Sequence, residues 1–282
     1  MKRRLFYLVY TPIVAALGIF YFYLYRTGLK DQTGFYMGDT LILTVFYGLG
    51  ALLLLVLYLW SRWASSSAEG TQAIGNAFLW GASGILCAVL LAVRAAAFGW
   101  VEILPLFTAG NLNFWELILP GVDFCLSLSA ALSFAVLGIR LLNQNLRPYW
   151  YSGSLLILVA WQTFRLVIRF GQLPMAFRMP QRLLEILLLT AQCLFFLSGG
   201  HLLSNDLGKS DYRWVLFSGH LSAALGLIWC ACPLLAGALS FSGLPQMLDY
   251  ALEWGLVLFC ALFSAFITPN GRKPAERAKG PV

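Results

Sequence analysis

Apolar residues in this chain run in long blocks separated by short polar stretches. Eight blocks approach the ~20 residues a helix needs to cross hydrocarbon. They cover residues 5–25, 41–60, 78–98, 115–142, 150–170, 183–203, 214–238 and 248–268. The pattern predicts an all-α fold, a polytopic membrane bundle of about eight transmembrane helices forming a single domain over 1–268. Residues 269–282 are short, basic and rich in proline and glycine, and read as a disordered cytoplasmic tail. The fourth block begins irregularly with Trp115-Glu116 and Pro120-Gly121, where proline predicts a kink or a first turn. Ala64 to Gly70 reads as a flexible loop.

The N-terminus, Lys2-Arg3-Arg4 followed by Leu5 to Tyr25, has the outline of a signal sequence. Its apolar run exceeds the ~7–15 residues of a signal core and lacks a small-x-small cleavage site, so it reads as an uncleaved first span. Composition agrees with the membrane assignment. Of 282 residues, 60% are hydrophobic and 11% charged, against about 45–50% and about 25% in soluble domains.

A net charge of +7 would suggest nucleic acid in a soluble chain. Here the basic residues crowd into loops and tails, the arrangement that encodes topology, so no nucleic-acid partner is expected. With the N-terminus in the cytoplasm, twelve of the Lys and Arg residues fall on the inner side. Five, Arg26, Lys30, Arg169, Arg178 and Arg182, fall on the outer side. That asymmetry predicts both termini inside, in the cell membrane. Trp60, Trp63, Trp80, Trp150 and Trp214 mark inner boundaries and Trp100 and Trp115 outer ones, while Trp161 and Trp229 sit mid-span as packing residues.

Charged residues inside or beside such spans carry the candidate chemistry, because each costs about 2.5–3.5 kcal/mol at the centre of a helix in hydrocarbon. Arg94, Asp123, Arg165, Arg169, Glu185, Asp249 and Glu253 form the candidate ligand-binding set, with Glu102 and Glu116 nearer the outer boundary. Under the predicted topology they fall toward one face of the membrane. Helical spacing puts Gln162, Arg165 and Arg169 on one stripe, and Arg182, Glu185 and Gln192 on another. Asp249 with Glu253, Glu116 with Asp123 and Ser127, and Ser83 with Cys87 and Arg94 share faces in the same way. These stripes should converge inside the bundle. Either the charges neutralise one another and set helix register, or they line an outward cavity where arginines take a carboxylate or phosphate.

The remaining signals are weaker. All six cysteines lie in apolar blocks and read as packing residues, without a C-x-x-C pair. His201 and His220, on neighbouring spans, have no carboxylate or cysteine at their depth, so neither a haem nor a metal is expected. Gly48-Leu49-Gly50 and Gly199-Gly200 suit close helix packing. Similar span ends at Phe98-Gly99, Phe170-Gly171 and Gly243-Leu244-Pro245 outline a faint helical-hairpin repeat. No P-loop, H-E-x-x-H or G-x-S-x-G occurs, which lowers an enzyme reading without removing it.

The leading expectation is a protein that binds or transports a small charged solute. The alternatives are a non-enzymatic scaffold or sensor subunit, whose charges pair internally or with a membrane partner or second copy, and an enzyme acting on a lipid-linked substrate. No cofactor is expected in any of them.

Overall fold

The computed structural model describes residues 2–27, 36, 38, 40–66, 72–74, 77–105, 114–143, 149–172, 180–203, 209–235 and 244–269. Its helices are α1 (Lys2–Thr27), α2 (Thr40–Ser66), α3 (Ala77–Phe98), α4 (Phe114–Leu142), α5 (Tyr149–Gln172), α6 (Pro180–Leu203), α7 (Lys209–Leu235) and α8 (Leu244–Phe266). All eight are long and apolar enough to cross a membrane, so the chain is a multi-pass membrane protein.

Each expected block falls on one helix, and most helices run past their blocks. Helix α7 ends at Leu235 and α8 at Phe266, short of the expected 238 and 268, with 236–238 outside the described residues and 267–268 in a strand. Every backbone N–H near hydrocarbon needs an acceptor, and continuing the helix supplies it. Ala64, Ser65 and Ser66, expected in a loop, form the last turn of α2, where the Ser65 hydroxyl donates back to the Arg62 carbonyl at 2.9 Å. Residues 67–70 and the tail beyond 269 lie outside the described residues. Pro120 sits inside α4 rather than at its first turn.

Two features depart from a purely helical reading. Gly99–Ile103 continues α3 as a π-turn. Two short strands, β1 (Gln72–Ile74) and β2 (Ile267–Pro269), pair antiparallel with Ala73 opposite Thr268. This pairing brings the chain leaving α2 beside the end of α8. Phe6 of α1 stacks on Trp60 of α2 at 4.2 Å, so the start of α1 lies at that same end of the bundle.

Helices α3 to α8 form a closed ring. Each packs on the next in sequence, and α8 returns to pack on α3. The α1–α2 hairpin lies outside the ring against α7. Helix α7 therefore touches α6, α8, α1 and α2, and it is the most enclosed span. A helix covered on all sides needs no polar face, and α7 is apolar over most of its surface.

The ring interior has two layers. One is aromatic: Trp80, Phe134, Phe195, Phe196, Phe259 and Phe263 are buried and meet mostly edge to face, as with Phe134 and Phe259 at 5.4 Å. Trp80 thus packs in the core, with its ring 4.2 Å from Phe263, instead of marking a membrane boundary. The other layer is polar and forms the candidate site.

Glycines set a backbone-to-backbone helix contact at a place the sequence did not single out. A Cβ on Gly138 of α4 would lie 2.8 Å from the Gly81 carbonyl oxygen and 2.9 Å from the Ile85 backbone nitrogen, both on α3. Of the glycines read as packing residues, Gly48, Gly50 and Gly199 would meet nothing within 4 Å, while Gly200 would make an ordinary contact with Leu155 at 3.5 Å. The two groups make opposite predictions. Gly138→Ala should lower stability by about 1–3 kcal/mol, because backbone atoms cannot give way. Gly50→Ala should be neutral or stabilising by up to about 1 kcal/mol through helix propensity. Thermal unfolding of both variants in the same detergent checks the contrast.

Candidate functional site

Five helices each bring a polar stripe into one end of the ring. From α3 comes Arg94, from α4 Asp123 and Ser127, and from α5 Gln162, Arg165 and Arg169. From α6 come Arg182, Glu185 and Gln192, and from α8 Asp249 and Glu253. All seven candidate residues meet a partner within the network. Glu102 and Glu116 sit on helical backbone, but their side chains lie outside the described set.

The network has three parts. In the first, Arg94 is ion-paired through Nε to Asp249 and through Nη1 to Asp123 at 3.4 Å, and it donates to the Ser127 hydroxyl at 3.2 Å. Its guanidinium also lies 5.9 Å from the Phe98 ring centre.

The second part is a closed cycle. Arg165 donates from Nη1 to Gln162 Oε1 at 3.1 Å and from Nη2 to Glu253 Oε1 at 2.6 Å. Gln162 donates to the Gln192 carbonyl oxygen, and Gln192 donates to Glu253 Oε2 at 3.2 Å. Both glutamines have 0% exposure, and the Glu253 side chain is 4% exposed. Buried polar groups of this kind are costly unless each is satisfied, and the cycle satisfies them in turn. Trp161 stacks on Arg165 with its ring centre 5.0 Å from the guanidinium carbon, and its buried indole N–H meets no acceptor among the described residues.

The third part surrounds Glu185, which takes Arg169 at 3.1 Å on one oxygen and Arg182 at 3.2 Å on the other. Its arginines are the more open members, with side chains 38% and 32% exposed, and Asp249 at 31% is comparable. The network thus grades from a dry floor at Glu253 to an open rim.

The ring order gives the Arg165–Glu253 pair its character. Helices α5 and α8 stand opposite each other and do not pack side by side. The pair therefore bridges the ring. A pair between neighbouring helices would only fasten an edge.

Sequence spacing had placed Arg182, Gln162, Gln192 and Ser127 on the correct faces, but the glutamine cycle joining α5, α6 and α8 was not foreseen. Periodicity states which face a side chain occupies and does not state which helix stands opposite.

Other candidates resolve differently. His220 is buried among the aromatic rings Phe6, Tyr7 and Tyr10 of α1, its Nδ1–H donating to the Leu216 carbonyl at 2.8 Å and its Nε2 accepting from the Tyr7 hydroxyl at 3.3 Å. Both ring nitrogens are thereby engaged. No group of three His, Cys, Asp or Glu suited to a metal occurs among the described residues. Cys87, Cys230, Cys232 and Cys260 are buried packing residues, but Cys125 is exposed on the bundle surface and Cys193 is half-buried beside Thr163. A pocket of roughly 210 Å³ lined by no charged residue lies between α2 and α6 with α7 as its floor, formed by Phe46, Gly50, Leu54, Leu184 and Leu225 among others. Its apolar lining suits hydrocarbon.

Comparison with known proteins adds no assignment: no family model, curated protein or solved structure matches the chain.

The bridging pair has a measurable signature. Arg165→Met should destabilise the protein by about 3–5 kcal/mol, because it leaves Glu253 charged and buried with a lost partner. The double variant Arg165→Met/Glu253→Leu should recover most of that loss. Unfolding of the two single variants and the double variant, read as a double-mutant cycle, reports the coupling.

Proposed function

We propose that this multi-pass protein binds a small charged solute at the ionic network, as a transporter or binding subunit of the cell membrane. The network faces the outside and both termini lie in the cytoplasm, in line with the distribution of Lys and Arg. The observation that carries this reading is the Arg165–Glu253 bridge between helices that stand apart. A carboxylate or phosphate arriving from the rim would take the place of Glu253 on Arg165, and a cation would take the place of Arg165 on Glu253. The internal pair then acts as a stand-in for solute, and its exchange is the binding step. The Trp161 N–H, which has no acceptor among the described residues, adds a donor on the arginine side, and the aromatic layer closes the far end.

One observation favours a second reading. Each of the seven candidate residues already has an internal partner, as in a scaffold or sensor subunit whose charges only fix helix register. The double variant Arg165→Met/Glu253→Leu separates the two. In proteoliposomes offered radiolabelled amino acids, carboxylates and phosphates, the binding reading expects uptake or retention by the wild type and none by the folded double variant. Equal behaviour of the two proteins would favour the scaffold.

Orientation has its own test. In a background lacking the native cysteines, a membrane-impermeant maleimide should label Gly171→Cys at the end of α5 in intact cells. It should label Asn143→Cys, after α4, only once the cells are opened. The reverse pattern would turn the network toward the cytoplasm.

A further inference from the structure

The network is balanced as a whole but not in its parts. Counted over the described side chains, Arg94 faces two carboxylates, Asp123 and Asp249, which leaves one negative charge on the α3–α4–α8 side. Glu185 faces two arginines, Arg169 and Arg182, which leaves one positive charge on the α5–α6 side. Between them Arg165 and Glu253 match one to one. Charges serving only to hold helices together are least costly when each group is neutral, because an unmatched charge keeps its desolvation penalty. Here the matched pair is the dry one, and the surplus lies with the more exposed members, Asp249, Arg169 and Arg182. The start of α6, where Arg182 sits, adds the partial positive charge of its free N–H groups.

The geometry points to a zwitterion as the ligand, a molecule with one cationic and one anionic group bound across the rim. Its ammonium lies on the Asp123–Asp249 side and its carboxylate or phosphate on the Arg169–Arg182 side. This inference rests on the binding function proposed above and narrows it to one charge class. The same chemistry occurs in free amino acids and in zwitterionic lipid headgroups, which enter the rim from water or from the bilayer respectively. Binding either one neutralises both poles at once, which a simple anion or cation cannot do.

The test is thermal unfolding of the full chain in nanodiscs of phosphatidylglycerol, an anionic lipid. The zwitterionic probes are glycine, γ-aminobutyrate and ε-aminohexanoate, which carry the two charges at increasing separation. Butyrate and butylammonium carry one charge each. At least one zwitterion should bind about tenfold more tightly than either single-charge probe, the worth of one added charge-assisted hydrogen bond. Asp249→Asn should move the preference toward butyrate and Arg182→Gln toward butylammonium, with the fold of each variant checked by circular dichroism. If the headgroup is the natural source, phosphatidylethanolamine nanodiscs will raise the unfolding temperature and abolish the response to soluble zwitterions. Binding of butyrate or butylammonium as tight as that of every zwitterion would overturn the zwitterion inference and leave a solute site standing. No response to any probe, in either lipid, would overturn both.

Discussion

Hydrocarbon offers no water to a buried ion, so each charge carried into a span must find its counterpart inside the protein. The Arg165–Glu253 pair, bridging opposite helices of the ring, is where that constraint acts most strongly. Its two ends belong to α5 and α8, and the glutamines that complete it belong to α5 and α6. Satisfying Glu253 therefore requires three helices to present their polar stripes at one depth. The outward orientation of the other faces follows, because leucine, valine and phenylalanine then occupy the surface that meets lipid.

The layering of the ring has the same origin. Where stripes of arginine, acid and amide meet, the interior is polar. About two to three helical turns away, α8 buries Phe259 and Phe263 inside the bundle, and the interior becomes aromatic. Rings meeting edge to face fill the space densely without polar atoms. One end of the ring is thus electrostatically active and the other inert. The α1–α2 hairpin contributes to neither layer and instead buries the outer side of α7.

Much of this was legible from residue spacing. The number of spans, the faces of Arg94, Asp123, Arg165 and Asp249, and their meeting at one end follow from block length and helical period. The closure of the ring by α8 on α3 was not legible, because periodicity is blind to which helix stands across. Trp80 was misread for a related reason: a tryptophan near a block end suits a lipid boundary and a packed core equally well, and only its neighbours Phe259 and Phe263 decide. The glycine contact was missed because Gly81 and Gly138 are far apart in sequence and belong to no local motif. The closely spaced Gly48 and Gly50 drew attention and proved to face open space. The β1–β2 pair was invisible because two three-residue strands leave no period to detect.

The Gly81–Gly138 contact has a mechanical consequence for the ring. There the two backbones touch with no side chain between them, so α3 and α4 can neither slide nor part without losing van der Waals contact along much of their length. Helix α5, by contrast, is joined across the ring by long polar side chains whose torsions rotate at little cost, and it is among the least enclosed spans. Any widening of the ring is therefore asymmetric, with α3 and α4 as the fixed jamb and α5 as the leaf that swings.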